Sequence, residues 1–144
     1  DIVDPRNAGP AAVITSLLGG DEALARAIHV GVGIAALAIT IVAAWRRVDP
    51  LERFAWAAAA SLATLPVTWY HYPSALIPIA LAALLRAPVE QRVRVRLLVL
   101  AAGITAAVAL LALPLVWVAV GLVIAAASAS KVPPTPVLTS GRAP

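Results

Sequence analysis

Long apolar runs, rather than alternating polar and apolar positions, dominate this sequence. Between positions 27 and 45 every residue is apolar except His29 and Thr40. At about 1.5 Å per helical residue, these nineteen residues come close to the roughly 30 Å hydrocarbon core of a bilayer. Three further apolar runs follow, at 54–67, 74–85 and 97–127. The pattern predicts an all-α membrane protein.

The lengths of the later runs predict helical hairpins. The runs 54–67 and 74–85 have fourteen and twelve residues, fewer than the roughly twenty of a full span. As one helix, 97–127 would be about 46 Å long, so we expect a turn near Leu113 and Pro114. The predicted fold class is a polytopic transmembrane helical bundle with about five membrane helices, two of them short, at 27–45, 54–67, 74–85, 97–113 and 115–130.

The two ends of the sequence are predicted to lie outside this bundle. Residues 1–26 are expected to form an outer loop in which a short interfacial helix begins at Pro10. Residues 131–144, rich in Pro, Ser and Thr, are expected to be a disordered tail. Because the sequence begins at Asp1 without an initiator methionine, we expect 1–130 to be the transmembrane part of a larger protein.

Composition and charge support this interpretation and orient it. Hydrophobic residues make up 62% of the chain and charged residues 12%, against roughly 25% charged in soluble domains. The arginines cluster in 46–53 and 86–96, which predicts that both loops are cytoplasmic and that the connection near position 70 lies outside. We expect membrane lipids as partners and no nucleic acid. There is no cysteine, which excludes disulfides and thiolate metal sites, and we expect no metal or cofactor.

The connection between the two short helices carries the main candidate site. Trp69, Tyr70, His71 and Tyr72 follow one another between two apolar arms. An ionisable residue at membrane depth is costly and indicates function, so His71 is a candidate contact for a phosphate or a sugar hydroxyl. The three aromatic rings are candidate stacking surfaces. The alternative is an interfacial aromatic belt.

Two other places carry weaker candidates. Arg6 and Asn7 precede the interfacial helix and could bind an anionic headgroup, or lie in a solvated loop. His29 could reach toward the interface, or act with His71 as an axial ligand of a haem or pigment in a non-enzymatic membrane subunit. A further alternative is a transporter fragment whose broken helices around Pro66 and Pro73 form a substrate site.

The segment from about Asp4 to about Leu85 resembles the C-terminal part of glycosyltransferase family 87. Its sharpest match is Pro66-Val67-Thr68-Trp69-Tyr70-His71, which is similar to the family's Ser-Pro-x-Ser-Trp-x-His-His pattern. This chain has Leu65 before the proline and Tyr72 at the second histidine position, and only Asn7 corresponds to the family's outer-loop Asn-Gln-Ser.

The resemblance implies an enzyme of the GT-C type in the bacterial plasma membrane, multi-pass, with its active face outward. Such an enzyme transfers a sugar from a polyprenyl-phosphate donor to a lipid-linked or cell-envelope glycan acceptor, and mannose is the leading candidate for the sugar. The catalytic base would be an Asp outside this fragment, so no catalytic residue is assigned here. The resemblance carries over His71 as a substrate contact. The other substrate-binding candidates are Arg6, Asn7, Trp69, Tyr70 and Tyr72.

Overall fold

The computed structural model describes residues 2–46, 49–69, 71–109 and 111–131, and every regular element in them is helical. The α-helices are α1 (Pro10–Leu18), α2 (Glu22–Trp45), α3 (Pro50–Ala63), α4 (Ile77–Arg86), α5 (Arg92–Val108) and α6 (Leu115–Ala129). Short 3₁₀ helices at Tyr72–Leu76 and Val89–Gln91 precede α4 and α5. The predicted all-α class is confirmed. The predictions for 132–144 and for Tyr70 lie outside the described residues.

The first long helix, α2, begins at Glu22, five residues before the predicted membrane segment 27–45. Asp21 caps it, because its Oδ1 accepts a hydrogen bond of 3.0 Å from the Leu24 N–H. Arg26 in the second turn donates to Glu22 four residues earlier, at 2.7 Å. Charged residues keep a segment out of hydrocarbon without keeping it out of a helix, so the helix extends beyond the predicted membrane segment 27–45.

The bounds of α3 and α5 differ from the predicted 54–67 and 97–113 for similar reasons. Asp49 caps α3, so that helix begins at Pro50 and ends before Pro66, which disfavours helical backbone at the residue preceding it. In α5 the arginine-rich stretch forms the first turns, and the helix ends at Val108. The predicted break near Pro114 is confirmed, because α6 begins at Leu115 and packs back along α5.

Among the described helices, α2 alone is long and apolar enough to cross a membrane. It has 24 residues, and its most apolar stretch of 18 residues has a mean hydropathy of 2.2, with only 6% of that stretch buried in the structure. The apolar helices 72–86 and 115–129 are shorter. The prediction of about five membrane-spanning helices is therefore not confirmed.

The centre of the bundle is α6, which packs against α3, α4 and α5. Its buried face meets a core made largely of small side chains, and alanines in particular allow the helix backbones to approach closely. Leu76 and Ile79 are the largest side chains in this core, at 2% and 1% exposure. In contrast, α2 packs mainly on α1 and α3 and leaves its outer side uncovered.

Two ion pairs join helix termini at one end of the bundle. Arg86 at the end of α4 donates to Asp49 before α3 at 2.6 Å. Glu52 in the first turn of α3 pairs with Lys131 at 2.5 Å and accepts from the Ser128 hydroxyl at 2.8 Å. We call this end, together with the first turns of α5, the basic end. The segment 2–9 lies at the opposite end.

Candidate functional site

The segment 2–9 is attached to the bundle through the side chain of Asn7, which is 2% exposed. Its Nδ2 donates to the carbonyls of Ile2 and Pro66, both at 3.0 Å. Its Oδ1 accepts from the N–H groups of Gly9 at 2.9 Å and Thr68 at 2.8 Å. An amide side chain has two donor hydrogens and two acceptor lone pairs, so all four positions are occupied. This arrangement favours a positioning role for Asn7 over a contact with substrate.

Ala8 adds a second attachment beside the first. Its N–H donates to the Thr68 carbonyl at 2.6 Å, and its carbonyl accepts from the Trp117 indole Nε1 at 2.6 Å. The Ala8 side chain is fully buried against Ala109 and Val116. Segment 2–9 is thereby fixed to both the connection after α3 and the start of α6.

Arg6 is held between an acid and an aromatic ring. Its Nε and Nη2 donate to the two carboxylate oxygens of Asp4 at 3.1 and 3.0 Å. Its guanidinium carbon lies 5.5 Å from the centroid of the Trp69 ring, a cation–π distance. With 74% of its side chain exposed, Arg6 keeps further N–H donors for an anion.

The ion pair also sets the protonation of Asp4. Hydrogen bonds from the Arg6 side chain, and then from its backbone N–H, lower the pKa of Asp4 from 3.8 to about 2. The same partner raises the pKa of Arg6 above its ordinary value. A carboxylate with so low a pKa is a weak base, so Asp4 is suited to orienting Arg6 rather than to accepting a proton.

His71 and Tyr72 lie in the turn that follows Trp69. The N–H of Tyr72 donates to the Trp69 carbonyl at 3.0 Å, which closes this turn. The His71 and Tyr72 rings meet edge to face, with centroids 5.0 Å apart and an interplanar angle of 83°. His71 is exposed and Tyr72 half-buried. An imidazole at the surface of an aromatic turn can donate to or accept from a polar ligand.

A cavity of about 390 Å³ lies beside segment 2–9, on the side of α1, and its volume is within the range of small-molecule sites. Asp4 and Asn7 contribute to its wall, together with α1 and the turn around Pro114. Thr15 also lines it; its hydroxyl is buried and has no hydrogen-bond partner among the described residues. Sequence reasoning missed Thr15, because a threonine in a short apolar stretch gives no signal of its own.

No family model, curated protein or solved structure matches this chain.

The structure brings together most of the predicted site. Arg6 contacts Trp69, and Asn7 holds the backbone on both sides of that contact, although 59 or more positions separate them in sequence. His29 lies instead on α2 and is half-buried. Within the described part of the chain, no three His, Cys, Asp or Glu side chains come together as metal ligands.

Proposed function

We propose that this chain is the membrane-embedded C-terminal part of a GT-C-type glycosyltransferase. It would transfer a sugar, with mannose as the leading candidate, from a polyprenyl-phosphate donor to a lipid-linked or cell-envelope glycan acceptor. The observation that carries the proposal is the Arg6–Trp69 pair, which lies next to a cavity whose wall is formed in part by Asp4 and Asn7. A cation for a phosphate and a flat ring for a sugar are fixed next to each other at one end of an apolar helical bundle.

A multi-pass placement in the bacterial plasma membrane is part of the proposal. The long apolar helix α2 leaves its outer side uncovered, as a helix facing lipid would. The basic end carries the arginine clusters, and cytoplasmic loops are the ones that hold excess Lys and Arg. The opposite end, with Arg6, Trp69 and His71, would then face outward, at the depth of the headgroups.

The roles of the residues follow from their geometry and charge. Arg6 would bind the donor phosphate through its exposed N–H groups, oriented by Asp4. Trp69 and Tyr72 would offer ring faces to the sugar. His71 would donate a hydrogen bond to a phosphate oxygen of the donor. An acceptor hydroxyl would bond to the anomeric carbon as the bond to the phosphate oxygen breaks, releasing polyprenyl phosphate. The hydroxyl proton would go to a carboxylate elsewhere in the protein, since Asp4 is too weak a base.

The test compares two histidine variants of the full-length protein in membranes. His71→Ala is expected to lower sugar transfer from the polyprenyl-phosphate donor on the order of 10- to 100-fold, as expected for the loss of a hydrogen bond to a charged ligand. His29→Ala, a matched change on α2, is expected to retain transfer. Equal transfer by wild type and His71→Ala would contradict the site assignment. Loss of a visible absorption band in both variants would instead indicate haem ligation.

A further inference from the structure

The outward face of α5 combines an apolar stripe with arginines at its start. Four large apolar side chains on this face are between 57% and 68% exposed: Val93, Leu97, Leu100 and Ile104. From Val93 to Ile104, eleven residues further along the helix, the stripe is about 16 Å long, close to the roughly 15 Å of one hydrocarbon leaflet. The opposite face of α5, with Val95 and Ala102, is buried in the bundle.

Three arginines flank the upper part of this stripe. Arg92 and Arg96 are four residues apart and lie on one side of it, one helical turn from each other, whereas Arg94 lies on the other side. All three are exposed. Among the described residues, none of the three has a carboxylate oxygen within 4.0 Å.

We propose that this face of α5 binds an anionic phospholipid, with the phosphate between Arg92 and Arg96 and an acyl chain along the stripe. Charge complementarity identifies the headgroup, and guanidinium forks match phosphate oxygens in pairs. The apolar stripe below identifies the tail, because inorganic phosphate or a nucleic acid would leave it in contact with water. The inference rests on the membrane placement proposed above but not on sugar transfer.

The test measures lipid preference of the full chain in nonionic detergent by native mass spectrometry. Each arginine near an anionic headgroup is expected to add about 1 kcal/mol, so wild type should bind phosphatidylglycerol roughly 30-fold more tightly than phosphatidylcholine. In Arg92→Gln/Arg96→Gln the preference should fall to about threefold or less. Arg26→Gln/Arg94→Gln removes the same charge away from this flank and should keep most of the preference.

Two further variants separate headgroup from tail. Arg92→Lys/Arg96→Lys keeps the charge without the forked geometry and should fall between wild type and the glutamine pair. Leu97→Ser/Leu100→Ser should weaken binding of both phospholipids while leaving the preference intact.

Three outcomes would overturn the proposal. One is an unchanged preference in Arg92→Gln/Arg96→Gln. Another is an equal loss in both charge-removal pairs, which would indicate a general charge effect. The third is that Arg92→Gln/Arg96→Gln loses binding to a single-stranded RNA oligonucleotide while it still binds phosphatidylglycerol as wild type does. None of these results bears on the His71 assay, so failure here and failure of the transferase proposal are distinguishable.

Discussion

Replacing Asn7 by Ala tests whether one buried amide holds the candidate site together. The substitution removes four hydrogen bonds of 2.8 to 3.0 Å and leaves the Gly9 and Thr68 N–H groups without their acceptor. At about 1 kcal/mol for each net hydrogen bond, the loss of all four would lower the free energy of opening segment 2–9 by about 4 kcal/mol at most. Water from the adjoining cavity can replace some of these bonds, so we expect about 3 kcal/mol, or roughly a 150-fold increase in local opening.

Amide hydrogen exchange measures this opening directly. In Asn7→Ala, exchange should accelerate in peptides covering 2–9 and 66–69, while peptides from the centre of α6 remain protected. Thr64→Ala is the matched control, because Thr64 donates a hydrogen bond of 2.9 Å to the Ser61 carbonyl at an exposed position of the same connection. Acceleration of less than about threefold in segment 2–9, or equal acceleration in the control, would refute the assignment of Asn7 as the tie.

Two other predictions concern stability. The hydrogen bond from Arg86 lowers the pKa of Asp49 in the folded protein. The ion pair therefore stabilises the fold at pH values above the pKa that Asp49 has in the unfolded chain, and this stabilisation is lost as the pH falls through its folded pKa. Acid titration of the melting temperature should show this loss below about pH 4 in wild type and a smaller one in Arg86→Gln. Leu76→Ala in the core should cost about 2–5 kcal/mol in denaturant unfolding, whereas Leu85→Ala, at 87% exposure, should change the free energy of unfolding by less than about 0.5 kcal/mol. Similar costs for both leucines would contradict the core described here.

Helix type and the interhelical breaks could be predicted from the sequence because both follow from local physics. Runs of alanine and leucine favour helix. A proline within such a run removes a backbone hydrogen bond and clashes with the preceding turn, so breaks are expected near Pro66 and Pro114. The predicted membrane segments begin later than the helices, which start at Glu22, Pro50 and Arg92, because hydropathy was the guide to those segments. Hydropathy reports solvent preference, whereas the bounds depend on caps such as Asp21.

The number of membrane spans could not be settled from apolar run lengths. The helices α3 and α5 have 14 and 17 residues, and each begins with charged residues that shorten its apolar part. A short apolar helix is equally compatible with a buried position in a bundle, as α6 illustrates with six buried residues in 15. Among the helices that the structure describes, only α2 combines span length with an uncovered outer side.

At the candidate site, the residue types could be predicted but their roles could not. Arg6 and Asn7 are neighbours in sequence, and both were candidates for an anionic headgroup. The structure separates them: Arg6 is exposed over Trp69, whereas Asn7 is buried with its amide fully used. Which neighbour faces outward depends on contacts with residues about 60 positions away, and no local pattern encodes that.

The dependence of the site on segment 2–9 has a consequence for how function and stability are related. Arg6 approaches Trp69 only while Asn7 and Ala8 hold the segment against Thr68. Opening of this attachment would separate the cation from the ring and open one wall of the cavity, without unfolding the helices behind it. A loss of ligand binding in Asn7→Ala with an unchanged helical core would therefore be expected even though Asn7 makes no contact with the ligand. Substitution of Arg6 should remove the anion contact and leave the attachment intact.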